Sequence, residues 1–135
     1  MNASLDEARQ LFGAGSRDRT SFHLLVESAR APHETVGFLA QQACEKFIKV
    51  VLVLHGVPLE RTHDLEYLAE LATVAGIRLP VTTALLRQLN PYAVALRYEG
   101  SDMLWVTEEQ AKQMVDATHH WAEQAISGAC DDSAQ

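Results

Sequence analysis

Four polar residues, Gln42, Glu45, Lys46 and Lys49, occupy one row of a helical segment. Glu45 and Lys49 form an i,i+4 pair, and on a solvated helix face such a pair contributes only about 0.3 kcal/mol. The alternative is an anion-binding strip, in which the lysines supply point charges and Gln42 supplies directed hydrogen bonds. The spacing alone leaves both interpretations open.

A second polar group, Thr62-His63-Asp64-Leu65, stands where the next helix is expected to begin. In the simpler interpretation this turn caps the helix and places Asp64 in its positively polarised first turn. In the alternative, His63 points into a groove and is held in one tautomer by a carboxylate or a carbonyl group. It would then contact a ligand or a partner.

A third group, Arg97 and Tyr98, ends a largely apolar helix. A buried Arg97 would need a partner, for which Glu45 is the candidate, and Arg97→Ala would then destabilise the fold by stranding Glu45. In that structural interpretation Lys46→Ala and Lys49→Ala would have almost no effect. In the functional interpretation the guanidinium and the ring surround a phosphate and a base.

Motifs for other chemistry are missing from the sequence, which has no glycine-rich phosphate loop, no His-Glu-x-x-His and no nucleophile elbow. We therefore assign no catalytic residue, metal ligand or cofactor. His119 and His120 are adjacent, point to different helix faces and are expected at the surface. Cys44 is predicted to be a buried small hydrophobe, and Cys130 an exposed thiol in a polar tail.

Composition narrows the possible functions. The 135 residues are 47% hydrophobic and 21% charged, which is typical of a globular domain. A net charge of −7 opposes binding to a phosphate backbone, so bulk DNA binding is not expected. The longest apolar run, residues 50–54, is too short to cross a bilayer, and no secretory signal is visible. No membrane association is expected, and we expect a cytoplasmic protein.

Apolar residues recur at spacings of three and four almost throughout the chain, which predicts amphipathic helices. The predicted helices span residues 5–12, 17–31, 34–55, 62–75, 81–98 and 107–127. Gly13-Ala14-Gly15 is expected to end the first piece, Pro91 to kink or restart the helix at 81–98, and Gly128 to end the last helix. A capping box at Thr107–Gln110 opens that last helix. The predicted organisation is an N-terminal helical extension (1–16), one helical bundle domain (17–128) and a disordered tail (129–135).

The order of the polar groups carries a family resemblance. From about residue 17 to residue 128 the chain resembles the HEPN domain family. The resemblance lies in the order of its motifs, which are Gln-Gln-Ala-x-Glu-Lys-x-x-Lys, then Gly, then His-Asp-Leu, then Tyr-Ala-Val-x-x-Arg-Tyr. The resemblance implies an all-α fold, an up-and-down four-helix bundle with a short additional helix, commonly as a symmetric dimer. Phe38, Phe47, Trp105 and Trp121 carry more apolar surface than one small bundle readily hides, which also favours a homodimer.

Two branches of the HEPN family imply different functions. One binds nucleotides or accompanies a small nucleotidyltransferase in a two-gene module, often of toxin–antitoxin type. The other consists of metal-independent ribonucleases with Arg followed four to six residues later by His. No histidine follows Arg97 in that window, and the formal match of Arg17 with His23 is of a kind expected about once by chance in this chain.

The sequence therefore favours a non-catalytic module that binds a nucleotide or a partner protein, with the ribonuclease as the alternative. The residues assigned to binding come from the three polar groups: Gln42, Glu45, Lys46, Lys49, His63, Asp64, Arg97 and Tyr98. We expect these side chains to converge on one groove.

Overall fold

The computed structural model describes residues 3–94 and 106–133 of the chain. Within these ranges there is no β-strand, so the all-α fold predicted from the sequence is confirmed. The helices are α1 (Ala3–Ser28), α2 (His33–Leu54), α3 (Leu65–Val74), α4 (Thr83–Leu89), a short 3₁₀ helix (Asn90–Ala93) and α5 (Glu108–Ser133). None of the described helices is both long and apolar enough to cross a bilayer.

Helix α2 is the centre of the bundle, because it packs against α1, α5, α3, α4 and the 3₁₀ helix. Its apolar side chains Phe47, Ile48 and Leu52 are fully buried. Such a wide apolar surface needs partners on several sides, as the sequence predicted. The helix ends at Leu54, and Gly56 follows two residues later with a φ of 74°, a conformation that glycine adopts without strain.

The predicted break at Gly13-Ala14-Gly15 is wrong, because α1 runs without interruption through these residues. Gly15 is buried against α2, and a Cβ there would lie 2.8 Å from Cε1 of Phe47. The glycine therefore lets two helices approach closely instead of ending one. Packing of α1 on α2 outweighs the roughly 1 kcal/mol that a glycine costs inside a helix.

The predicted end of the last helix at Gly128 is also wrong, and so is the predicted disorder over residues 129–133, since α5 continues to Ser133. Gly128 does not adopt a positive φ, in contrast to Gly56 and Gly76. A glycine in ordinary helical geometry weakens a helix but does not stop it. In this last segment, Nη2 of Arg9 on α1 donates a hydrogen bond to Sγ of Cys130 at 2.9 Å. Cys130 is accordingly a helical residue.

Two helices begin where local signals in the sequence predict a start. Thr107 and Gln110 form the predicted capping box, with N–H to side-chain oxygen distances of 2.9 and 3.0 Å. The predicted restart near Pro91 is confirmed by the 3₁₀ helix from Asn90. The remainder of the predicted helix at 81–98, beyond residue 94, lies outside the described residues.

One glycine of α2 makes room for a large side chain. Gly37 is buried, and a Cβ at this position would overlap the ring of Tyr92. Tyr92 itself is fully buried, so its ring has no space to move aside. The 3₁₀ helix can therefore lie against α2 only because residue 37 has no side chain.

Candidate functional site

A buried carboxylate on α2 organises the candidate site. The side chain of Glu45 is only 5% exposed. Its Oε1 lies 2.7 Å from Nδ1 of His63, and its Oε2 accepts a hydrogen bond from Nζ of Lys49 at 3.1 Å. A charge removed from water needs such partners, because desolvation otherwise costs several kcal/mol. Both carboxylate oxygens are thus occupied by groups on two different segments.

His63 is held at two points but remains open to solvent. Besides the bond to Glu45, its backbone carbonyl accepts a hydrogen bond from Nε2 of Gln41 at 2.8 Å. The side chain is nevertheless 70% exposed. The result is an imidazole with a fixed position and one ring edge facing outward.

The turn that carries His63 is fixed from its other side by Asn90. The Nδ2 group of Asn90 donates to Oδ1 of Asp64 at 2.7 Å, and its Oδ1 accepts from the backbone N–H of Leu65, also at 2.7 Å. Asp64 is the N-cap of α3 and accepts from the N–H groups of Glu66 and Tyr67. The sequence-based expectation placed Asp64 inside the first turn of the helix, whereas in the structure it is the residue immediately before the helix, which begins at Leu65. Its contacts are those of a capping residue.

The lysine row does not form a solvated helix face. Nζ of Lys46 lies 2.5 Å from Oδ2 of Asp18 on α1, and both side chains are 23% exposed. Lys46 also reaches Oε1 of Gln42 at 3.4 Å, and Nε2 of Gln42 donates to Oε1 of Gln41 at 2.6 Å. These bonds connect α1, α2 and the turn before α3. The residues of this Glu45 network are Asp18, Gln41, Gln42, Glu45, Lys46, Lys49 and His63.

The charges of the Glu45 network are paired. The two lysines face two carboxylates, Lys46 with Asp18 and Lys49 with Glu45. Each ammonium group therefore already has a negative partner at hydrogen-bond distance. Among the described residues of the network, no lysine is left as an unpaired positive charge for a phosphate group.

The structure brings together five of the eight residues assigned to binding, namely Gln42, Glu45, Lys46, Lys49 and His63. Asp64 lies beside them as a helix cap. Arg97 and Tyr98 lie outside the described residues, and so does the expected Glu45–Arg97 pair. The chemical role of the assembled residues stays a prediction.

Sequence reasoning missed three residues that hold this arrangement, Gln41, Asp18 and Asn90. Gln41 lies four positions before Glu45, and this spacing could have placed it beside the carboxylate. Asp18 and Asn90 carry no such signal, because each reaches the site from a distant part of the chain.

A model of the HEPN domain family matches residues 8–123. The chain belongs to the HEPN domain family. The crystal structure of an archaeal HEPN homologue is similar, with a TM-score of 0.52 and 20% identity over 93% of this chain and 99% of the other. At that identity the likeness shows the fold alone. No curated protein matches the sequence.

In this HEPN domain the formal nuclease pair Arg17 and His23 is not assembled into one site. Six helical positions place the two side chains about 120° apart around α1. Arg17 is exposed, whereas Nε2 of His23 lies 2.8 Å from Oδ1 of Asp116 on α5. Arg19 bonds to the same oxygen at 3.0 Å. Burial raises the pKa of Asp116, but the hydrogen bonds from His23 and Arg19 outweigh it and lower this pKa.

His119 is not the surface residue expected from the sequence. It is half-buried, and its ring lies 5.2 Å from that of Phe12 and 5.4 Å from that of Phe47, measured between centroids. Burial, followed by the positive charge of Arg19, lowers the pKa of His119. His120 is exposed, as expected. The described part of the chain contains no group of three or more His, Cys, Asp or Glu side chains suited to a metal ion.

The two cysteines have different surroundings. Cys44 is fully buried, and burial raises its pKa to about 12, although a hydrogen bond from Thr118 acts in the opposite direction. Cys130 is partly exposed and contacts Arg9. The prediction that Cys44 is a buried small hydrophobe is confirmed.

Proposed function

We propose that this HEPN domain is a non-catalytic binding module, which binds a nucleotide or a partner protein on the Glu45 network. The partner we propose is a small nucleotidyltransferase, in a two-gene system of toxin–antitoxin type. The observation that carries the proposal is the contrast between a carboxylate that is 5% exposed and the imidazole it holds, which is 70% exposed.

This contrast favours recognition over a purely structural role. A histidine that only filled space would bury its ring, whereas the ring of His63 stays in solvent and gains little from the hydrophobic effect. Fixing an exposed polar group in advance lowers the entropy that a binding partner would otherwise have to remove. Bonds from Glu45 and Gln41 do this for the ring and the backbone of His63.

A metal-independent ribonuclease is the second candidate. The observation in its favour is the same bond, because an imidazole fixed at Nδ1 by a carboxylate can exchange a proton at Nε2. The separation of Arg17 from His23 and the pairing of His23 with Asp116 argue against the pair formally matched in the sequence.

We also propose that the domain forms a symmetric homodimer. Leu24 on α1 is 61% exposed, and Phe38 and Trp121 are only half-buried, so apolar surface remains for a second copy to cover. Phe47 is fully buried and contributes nothing to that surface. Analytical ultracentrifugation should give about twice the chain mass of 14.9 kDa, and a monomeric mass at micromolar concentration would refute the dimer.

Binding is tested by calorimetric titration of the full chain with nucleoside mono-, di- and triphosphates at low salt. Partner binding is tested by coexpression with a small nucleotidyltransferase of the same genome, followed by size-exclusion chromatography. Loss of either interaction in His63→Asn, with an unchanged melting temperature, would support the proposed site. Absence of both interactions in the wild type would refute the proposed function. RNA cleavage that His63→Asn abolishes would establish the ribonuclease instead.

A further inference from the structure

We infer that the Glu45 network recognises an amino or hydroxyl group of a nucleoside through Nε2 of His63, and that phosphate is not the group it binds. The inference rests on the proposed function and names the part of the ligand that the site contacts. It departs from the sequence-based expectation that the lysines grip a phosphate.

The hydrogen bond to Glu45 determines which ring nitrogen of His63 can accept. An ionised carboxylate only accepts hydrogen bonds, so the Nδ1 that lies 2.7 Å from Oε1 must carry the proton. In the neutral ring, Nε2 then has a free lone pair. Because the side chain is 70% exposed, this acceptor is available to a ligand.

The lysines are poorly placed to bind phosphate. Nζ of Lys49 is bonded to Glu45 and its side chain is only 13% exposed, while Nζ of Lys46 is bonded to Asp18. A phosphate would have to displace these carboxylates or approach them closely, and like charges repel. The net charge of −7 adds no long-range attraction.

The chemistry that remains is a neutral donor facing a fixed acceptor. Nucleosides offer such donors in the amino groups of adenine, guanine and cytosine and in the ribose hydroxyls. Binding should therefore depend weakly on salt, since no ion pair forms between ligand and protein.

One substitution separates the two bonds of His63. In His63→Asn the side-chain NH₂ takes the place of Nδ1–H and can still donate to Glu45, but the acceptor at Nε2 is removed. Melting temperature should therefore stay close to that of the wild type, while nucleoside affinity falls about tenfold, as expected for one lost hydrogen bond. Lys112→Gln, on α5 and outside the Glu45 network, serves as the control and should leave nucleoside affinity unchanged, whereas Lys46→Gln reports on phosphate binding.

The experiment is nitrogen-15 NMR of the histidine rings in the full chain, titrated separately with adenosine, cytidine and inorganic phosphate at low and at high salt. We expect an Nδ1–H tautomer for His63 and a saturable shift of its Nε2 signal with nucleoside at both salt concentrations. A proton on Nε2 in the free protein would overturn the inference.

Two further outcomes separate this inference from the function on which it rests. A salt-dependent response to phosphate, weakened by Lys46→Gln and absent with nucleosides, would overturn the inference and leave nucleotide binding intact. No response to adenosine, cytidine or phosphate at millimolar concentration, together with no nucleotide binding in the calorimetric titration, would overturn the inference and the nucleotide-binding form of the proposed function together.

Discussion

Lys49→Ala should destabilise the fold strongly, because it removes the ammonium group bonded to Oε2 of a buried carboxylate. The side chains of Lys49 and Glu45 are 13% and 5% exposed, so water cannot readily replace the lost bond. Breaking a buried ion pair costs about 3 to 5 kcal/mol. His63 still binds the carboxylate in the variant, so we expect the free energy of unfolding to fall by about 3 kcal/mol.

Lys46→Ala is the matched control on the same helix. Its partner Asp18 is 23% exposed, as Lys46 itself is, so the remaining carboxylate can be hydrated. A loss below about 1 kcal/mol is expected for such a pair. Urea unfolding followed by circular dichroism measures both variants. With a slope of about 1.5 kcal/mol per molar, the two unfolding midpoints should differ by more than about 1 M.

Combining Lys49→Met with Glu45→Gln tests whether the unpaired buried charge of Glu45 causes the destabilisation. With both charges removed, no buried charge lacks a partner, so the double variant should be more stable than Lys49→Met alone. Equal losses of unfolding free energy in Lys49→Ala and Lys46→Ala would refute a buried ion pair. Additive losses of unfolding free energy in the double variant would refute it as well. Both lysines would then behave as the solvated residues of the sequence-based structural interpretation.

Three other predictions follow from burial. Gly37→Ala should lower the free energy of unfolding by about 3 kcal/mol or prevent folding, since the added Cβ would overlap a buried ring. Gly128→Ala should instead raise it by about 0.5 kcal/mol, because nothing lies within 4 Å of a Cβ there. Equal melting temperatures for the two variants would contradict this. Because the folded-state pKa of His119 is lowered, its stabilising contribution is lost as the pH falls below the ordinary value of 6.5. Chemical unfolding between pH 7.5 and 5.5 should therefore show a smaller loss in His119→Phe than in the wild type, and equal losses would contradict it. Iodoacetamide should alkylate Cys130 but spare Cys44, which is buried and has a pKa of about 12. Mass spectrometry identifies the alkylated cysteine, and faster alkylation of Cys44 would contradict the prediction.

Local signals were sufficient where one short stretch contains all the interacting groups. The capping box at Thr107 and Gln110, the stop at Gly56 and the restart at Asn90 each depend on neighbours within a few positions. The apolar width of α2 likewise follows from periodicity alone. These features could be predicted because the backbone and nearby side chains decide them.

Glycines show where local reasoning fails. Gly15 and Gly128 look like helix breakers in the sequence, yet both lie inside helices. Whether a glycine ends a helix depends on its φ and on what packs beside it. Phe47 packs against Gly15, and only the position of α2 beside α1 reveals this.

The residue pattern alone predicts a helical bundle, a resemblance to the HEPN domains, and one shared helix face for Gln42, Glu45, Lys46 and Lys49. That this face is enclosed follows only from the packing of distant segments, because Asp18 reaches it from α1 and His63 from the turn before α3. The periodicity of apolar residues shows which side of a helix a residue occupies, but it does not show which distant segment covers that side. The pairing of charges depends on the covering segments, and the proposed ligand chemistry rests on that pairing.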